Sequence, residues 1–184
     1  MKKTFLFLLA VTLVCLLAAS SVHAQNLVLN PGFETGDLTD WVNVFATHPV
    51  AVVTGNAHSG TYALQMAAPP PNGGSSEVYQ NLTLAAVPTV VDFWAETTGS
   101  GTLSVILDSQ IVTFSSIAGA TGYTEYTYTV TPTAGVDALT FEWTSVPGKL
   151  YLDDVSVTQV PEPSTFLLAG FGVAGLLTLR RRKS

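Results

Sequence analysis

The sequence predicts an all-β protein whose strands pack as a two-sheet sandwich. Three observations carry this. Within residues 25–159, apolar and polar side chains alternate with a period of two in four clear segments. Clusters of Gly, Pro, Asn or Ser recur roughly every eight to twelve residues. Threonine, valine and aromatic residues are common there, while the 3.6-residue period of a helix is weak.

The alternating segments set the expected faces. Val91, Phe93 and Ala95 point one way, and Asp92, Trp94 and Glu96 the other. Leu103, Val105 and Leu107 share a face after Gly99-Ser100-Gly101. Tyr126, Tyr128 and Val130 oppose Glu125, Thr127 and Thr129. Leu139, Phe141 and Trp143 oppose Thr140, Glu142 and Thr144. About ten strands are expected, enough for two packed sheets. Residues 67–76 hold Pro69-Pro70-Pro71 and Gly73-Gly74 and are expected to form a loop. Trp41 and Trp143 are expected in the core.

Residues 1–24 read as a secretory signal. Lys2 and Lys3 open it, an apolar run follows, and Val22-His23-Ala24 offers small residues at the −3 and −1 positions. Signal peptidase is expected to cut between Ala24 and Gln25. Cys15 falls inside the apolar run and lacks the small residue that precedes a lipidated cysteine. A chain starting at Gln25 has no thiol, so disulfides and cysteine chemistry are excluded.

The other end has a matching logic. Val160-Pro161-Glu162-Pro163-Ser164-Thr165 breaks any helix. Residues 166–179 carry no charge, and Arg180, Arg181, Arg182 and Lys183 follow. A helix over 165–179 would span about 22 Å at 1.5 Å per residue. That is short for a bilayer core of about 30 Å, but snorkelling arginines and local thinning allow it. The four cations should stay cytoplasmic, leaving the body on the far side. The domain reading is therefore a signal peptide at 1–24, a sandwich at 25–159 and a tail at 160–184.

The Pro-Glu-Pro break, the short Gly-containing apolar run and the terminal Arg cluster together resemble the PEP-CTERM sorting signal of Gram-negative bacteria. The resemblance covers about 25 residues. It implies an exosortase, a membrane-embedded transpeptidase-like cysteine enzyme, cutting near Pro161, Glu162 and Pro163. It further implies a transient inner-membrane anchor with a periplasmic body, then release to the surface or an exopolysaccharide matrix.

Charge narrows the partners. Residues 25–159 hold twelve of the thirteen acids and a single base, Lys149, a formal charge of −11. Such a surface repels phosphate backbones, which excludes nucleic acid, but it suits divalent cations and tolerates neutral sugars.

Asp153 is the most informative acid. It shares parity with Val155 and Val157 and is expected to face the core, where an ionised carboxylate needs a cation or several donors. Backbone donors at a sheet end would satisfy it, and so would calcium, which takes carboxylate and carbonyl oxygens.

Three motifs then carry a second resemblance. Asn26-Leu27-Val28-Leu29-Asn30-Pro31-Gly32-Phe33-Glu34-Thr35-Gly36 with Trp41 opens the body. Ala57-His58-Ser59-Gly60-Thr61-Tyr62-Ala63-Leu64 follows, and Leu152-Asp153-Asp154-Val155-Ser156-Val157 closes it. They resemble galactose-binding-like jelly rolls, including carbohydrate-binding modules. The resemblance implies a jelly-roll sandwich and a structural calcium joining the first strand to the last. Glu34 and Asp153 take the positions of its carboxylate ligands, with carbonyls of the 57–60 turn adding to them.

For a sugar, Trp94 flanked by Asp92 and Glu96 is the candidate platform: the ring stacks and the acids accept from hydroxyls. The competing reading is an outer tryptophan covered by a loop or by the other sheet. No catalytic set stands out. His58 lies in a turn motif that favours a structural role, and His48 has no identifiable partner. Glu77 and Glu125 could in principle act on glycosides, but no spacing brings them together. The sequence therefore reads as an exported, non-catalytic jelly-roll protein, the alternatives being a carbohydrate-binding module with a defined glycan or a small glycosidase or lyase.

Overall fold

A computed structural model describes residues 25–45, 50–67, 74–117, 122–145 and 148–159. The expected signal peptide and sorting tail lie outside these residues, as do Ala24, Pro161, Glu162, Pro163 and the Arg180 to Lys183 cluster.

The described residues contain ten strands and no helix: β1 (Val42–Asn43), β2 (Val50–Thr54), β3 (Tyr62–Ala67), β4 (Gly74–Leu84), β5 (Thr89–Thr97), β6 (Gly101–Leu107), β7 (Gln110–Ile117), β8 (Thr124–Val130), β9 (Gly135–Ser145) and β10 (Lys149–Gln159). They form two five-stranded antiparallel sheets, ordered β1-β4-β9-β6-β7 and β2-β3-β10-β5-β8. This is the jelly-roll sandwich that the alternation and the motifs predict.

Period-two patterning decides which residues meet between the sheets. Val78, Leu139, Phe141, Trp143, Leu103 and Val105 of the first sheet are buried against Leu64, Met66, Leu150, Leu152, Val91 and Phe93 of the second. Phe93 sits at the aromatic centre. It lies edge-on to Phe114 and Phe141 and stacks on Tyr126 at 5.4 Å. Such pairs add to the transfer energy of the rings themselves. Trp41 and Trp143 are both buried.

The expected loop at 67–76 is shorter than its composition suggests. β3 runs through Ala67, and β4 starts at Gly74, pairing Gly74, Ser75 and Ser76 with Ser145, Thr144 and Trp143. The long β9 partner recruits small residues that have little strand preference of their own.

Two features bind the irregular opening segment to the sheets. Gln80, buried in β4, accepts from the Leu29 amide and donates to the Leu29 and Asp40 carbonyls. Trp41 Nε1 donates to the Asn30 carbonyl at 3.2 Å, and its ring packs on Phe33 and Phe141.

Replacing Phe93 with Ala removes the ring shared by Phe114, Phe141 and Tyr126. We expect a loss of about 3–5 kcal/mol, read by chemical denaturation of residues 25–159. A loss under about 1 kcal/mol would show that the core is not organised around this ring.

Candidate functional site

The acidic junction at the start of the body is assembled by a bulge in β10. Between Asp153 and Ser156 the register against β5 slips by one residue, and Asp154 adopts a φ of 48°. Asp tolerates this left-handed conformation better than most residues. The bulge overturns the simple parity argument. Asp153 pairs with Trp94 and so belongs to the outer face, while Val155 and Val157 still point inward. Asp153 is nevertheless completely buried, because the turn after β2 folds over it.

That turn is held by carboxylates at both ends. Asp153 Oδ2 accepts from the amides of His58 at 2.8 Å and Ser59 at 3.1 Å, and Oδ1 accepts from the Asp154 amide. Glu34 Oε1 accepts from the Thr61 and Tyr62 amides at 2.9 and 3.0 Å. Gly60 is needed here twice over: its φ is 63°, and a Cβ would fall 2.3 Å from Glu34 Oε1. Gly32 lies between the two acids, its Cβ position 3.4 Å from Asp153 Oδ1 and 3.7 Å from Glu34 Cγ. Glu34 and Asp153, 119 positions apart in the chain, are thus brought to one place. Among the described residues, no three His, Cys, Asp or Glu side chains gather as a purely side-chain metal site requires. Both Asp153 oxygens and Glu34 Oε1 already accept from backbone amides.

Burial pushes the Asp153 carboxyl above the usual carboxylate range, and the amides of Ser59, Asp154 and His58 pull it partly back. Asp154, half-buried beside it, accepts from Ser59 Oγ at 2.7 Å, and His58 Nδ1 lies 2.7 Å from its Oδ2.

Trp94, Asp92 and Glu96 lie on one face of β5, as alternation predicts. The imidazole of His58 stacks on the Trp94 ring, with centroids 3.9 Å apart and planes 12° apart. Tyr123 packs against His58, with ring centroids 5.3 Å apart and planes tilted by 56°, and donates its hydroxyl to the Asn56 carbonyl. Burial raises the Tyr123 phenol, with Asp153, Glu96 and Asp154 adding to it, so it stays a neutral donor. The turn motif therefore fills one face of the tryptophan.

The outer face of the first sheet is different. Cross-strand pairing builds a row Val42, Tyr79, Thr140, Ile106 and Ile111 across all five strands. Beside it runs Glu77, Glu142, Ser104 and Thr113. Glu77 and Glu142 are directly opposed, which places their Cβ atoms about 5 Å apart. Glu77 and Glu125, by contrast, sit on different sheets and do not meet. Burial, and then the neighbouring Glu142, raise the Glu77 carboxyl. This pair escaped the sequence reading because β4 and β9 are joined only in three dimensions. The parity of Ser75, Glu77 and Tyr79 was the available signal.

Two predictions follow from these contacts. Asp153→Ala strands three amides and should cost about 3 kcal/mol, whereas Asp154→Asn, which keeps a residue that tolerates the left-handed φ of 48° at a half-exposed site, should cost under about 1 kcal/mol; equal losses by urea denaturation would contradict the junction described. Glu77 and Asp153 protonate more readily in the fold than in the unfolded chain. Between the unfolded and folded values the fold holds the extra protons, so stability falls as pH rises through that interval. Glu77→Gln should therefore melt higher than the parent at about pH 7, with the difference fading towards about pH 4. An unchanged or lower melting temperature at neutral pH would refute the strained pairing.

The fold has counterparts among solved structures. TmCBM61, solved with β-1,4-galactotriose, superposes with a TM-score of 0.65 at 22% identity, over 74% of this chain and 100% of that one. The CBM22-1 xylan-binding domain of Paenibacillus barcinonensis Xyn10C gives 0.55 at 13%, over 78% and 100%. The enzymatically active domain of bacteriophage CBA120 tailspike protein 4 gives 0.57 at 18%, over 73% of this chain but 21% of that one. At these identities the likeness is one of fold. No curated protein sequence matches the chain. Residues 159–183 match the PEP-CTERM protein-sorting motif, so the protein joins a carbohydrate-binding-module-like β-sandwich to a PEP-CTERM sorting signal.

Proposed function

We propose that the protein is exported from a Gram-negative cell, processed by an exosortase at its tail, and acts without catalysis as a glycan-binding module at the surface or in the exopolysaccharide matrix. The export half rests on the sorting motif at 159–183 and on the signal-like residues 1–24. The body passes through the periplasm while the tail holds the inner membrane.

The glycan half rests on one observation: the outer face of the first sheet sets an aromatic and aliphatic row beside a row of acids and hydroxyls. Sugars present an apolar ring face and a rim of hydroxyls, and that is the pairing such a surface accommodates. Tyr79 supplies the stacking ring, and Glu77, Glu142 and Ser104 accept or share hydroxyl protons. A body of charge −11 favours uncharged glycans over polyanionic ones. This face is a better platform than Trp94, Asp92 and Glu96, because His58 already lies on the Trp94 ring.

We further propose that one calcium ion binds at the acidic junction. Glu34 and Asp153 would hold it, with carbonyls of residues 57–60, and it would tie the opening segment to β10 and neutralise the buried Asp153. If the site is filled at 100 times its dissociation constant, the body should gain about 2.7 kcal/mol. Thermal melting with calcium and with chelator measures this, and identical transitions would remove calcium from the account.

A glycan array probed with residues 25–159 tests the main reading. Neutral oligosaccharides should bind, and Tyr79→Ala should weaken binding at least about tenfold, or about 1.4 kcal/mol. The bound oligosaccharides should be recovered intact. Hydrolysed products would make the Glu77–Glu142 pair catalytic, and binding unaffected by Tyr79→Ala would move the site elsewhere.

A further inference from the structure

The sorting motif begins at the last residue of β10. This residue, Gln159, is held firmly. Its backbone pairs with Thr89 of β5, and Ser156, Val157 and Thr158 pair with Asp92, Val91 and Val90. Its side chain accepts from the Ala85 amide and donates to the Ala85 carbonyl and Thr89 Oγ1, at 2.9 to 3.0 Å.

The other edge of β10 at this height is covered by the opening segment. Asn26 bridges Thr158. Asn26 Oδ1 accepts from the Val157 amide, Asn26 Nδ2 donates to the Val155 carbonyl, and the Leu27 amide donates to the Val157 carbonyl, all at 2.8 to 3.0 Å. Asn26 and Gln159 together clamp the end of the strand from both sides.

Proteases and transpeptidases read an extended peptide by main-chain hydrogen bonds, much as a sheet edge reads an added strand. Residues 156–159 already spend those groups on β5 and on Asn26. Pro161 follows Gln159 by two residues in the sequence. Only Val160 separates the held strand from the Pro-Glu-Pro motif.

We infer that the scissile bond lies C-terminal to Val160 and that the Asn26–Gln159 clamp slows the cut by withholding residues 156–159 from the processing enzyme. This rests on the reading that an exosortase processes the tail. In the step itself, the enzyme's nucleophile adds to the scissile carbonyl carbon and the peptide C–N bond breaks. The departing nitrogen takes a proton and becomes the new amino terminus of the tail. Water or an amine then opens the acyl intermediate.

The test uses the full chain co-expressed with an exosortase in a Gram-negative host, followed by pulse-chase and intact-mass analysis of the released body. Three forms are compared: the parent, one with Gly-Ser-Gly-Ser inserted between Gln159 and Val160, and Asn26→Ala. The insertion should speed release by roughly tenfold, and Asn26→Ala, which removes two of the clamp's hydrogen bonds, by a few-fold. The parent product should end at Val160 or later. The insertion leaves the strand intact, so its effect does not depend on whether Asn26→Ala folds well. Equal release rates for the parent and the insertion, or a parent product ending before Val160, would overturn the inference while leaving processing in place. Absence of cleavage in all three would overturn the processing reading, and this inference with it.

Discussion

The structure depends on the closure of the chain's opening segment against its last strand. β3 accompanies β10 only from Lys149 to Leu152. Beyond that point one edge of a central strand would be left with unpaired backbone groups, each a penalty if buried away from water. The opening segment takes over this edge: the Val155 amide donates to the Pro31 carbonyl, and Val157 exchanges bonds with Asn26 and Leu27. The bulge at Asp154 is where the change of partner occurs. It lets β10 leave β3 and meet residues 26–31 while Val155 and Val157 stay in the core.

The acidic junction is a consequence of that handover. By bending outward, Asp153 reaches the turn after β2 and takes its amides, while Glu34 takes the amides two residues further on. Gly32 lies beside both side chains, near Asp153 Oδ1 and Glu34 Cγ, and Lys149 is the only lysine or arginine among the described residues. The turn thus secured carries His58 onto Trp94 and closes that part of the second sheet. Among the described residues no ring stacks on Tyr79, and Tyr79, Glu77 and Glu142 are each partly exposed. Opposed glutamates there work against stability. Strain of this kind is retained in proteins where a surface has a task other than folding.

Much of this was legible in the chain. Alternation alone placed Phe93, Phe141, Leu103 and Tyr126 on inner faces, because a half-buried strand leaves a period-two record in its own residues. The bulge left no such record: nothing in Leu152-Asp153-Asp154-Val155 distinguishes a regular strand from one with an extra residue, so Asp153 was assigned the wrong face though the right burial. The ends of the 67–76 segment were misread because strand length there is imposed by β9. The Glu77–Glu142 pair and the His58–Trp94 stack are products of register between distant segments, which local pattern does not encode.

The closure is tested most directly by native-state hydrogen exchange of residues 25–159, read at the Val155 and Val157 amides. Both donate to the opening segment, to Pro31 and Asn26, rather than to a neighbouring strand. If the closure organises the fold, the two amides exchange only through global unfolding, with the same free energy as the β5 amides beneath them. Exchange of Val155 and Val157 through a local opening, well below the global value, would show that the opening segment is an accessory to a sandwich that stands without it.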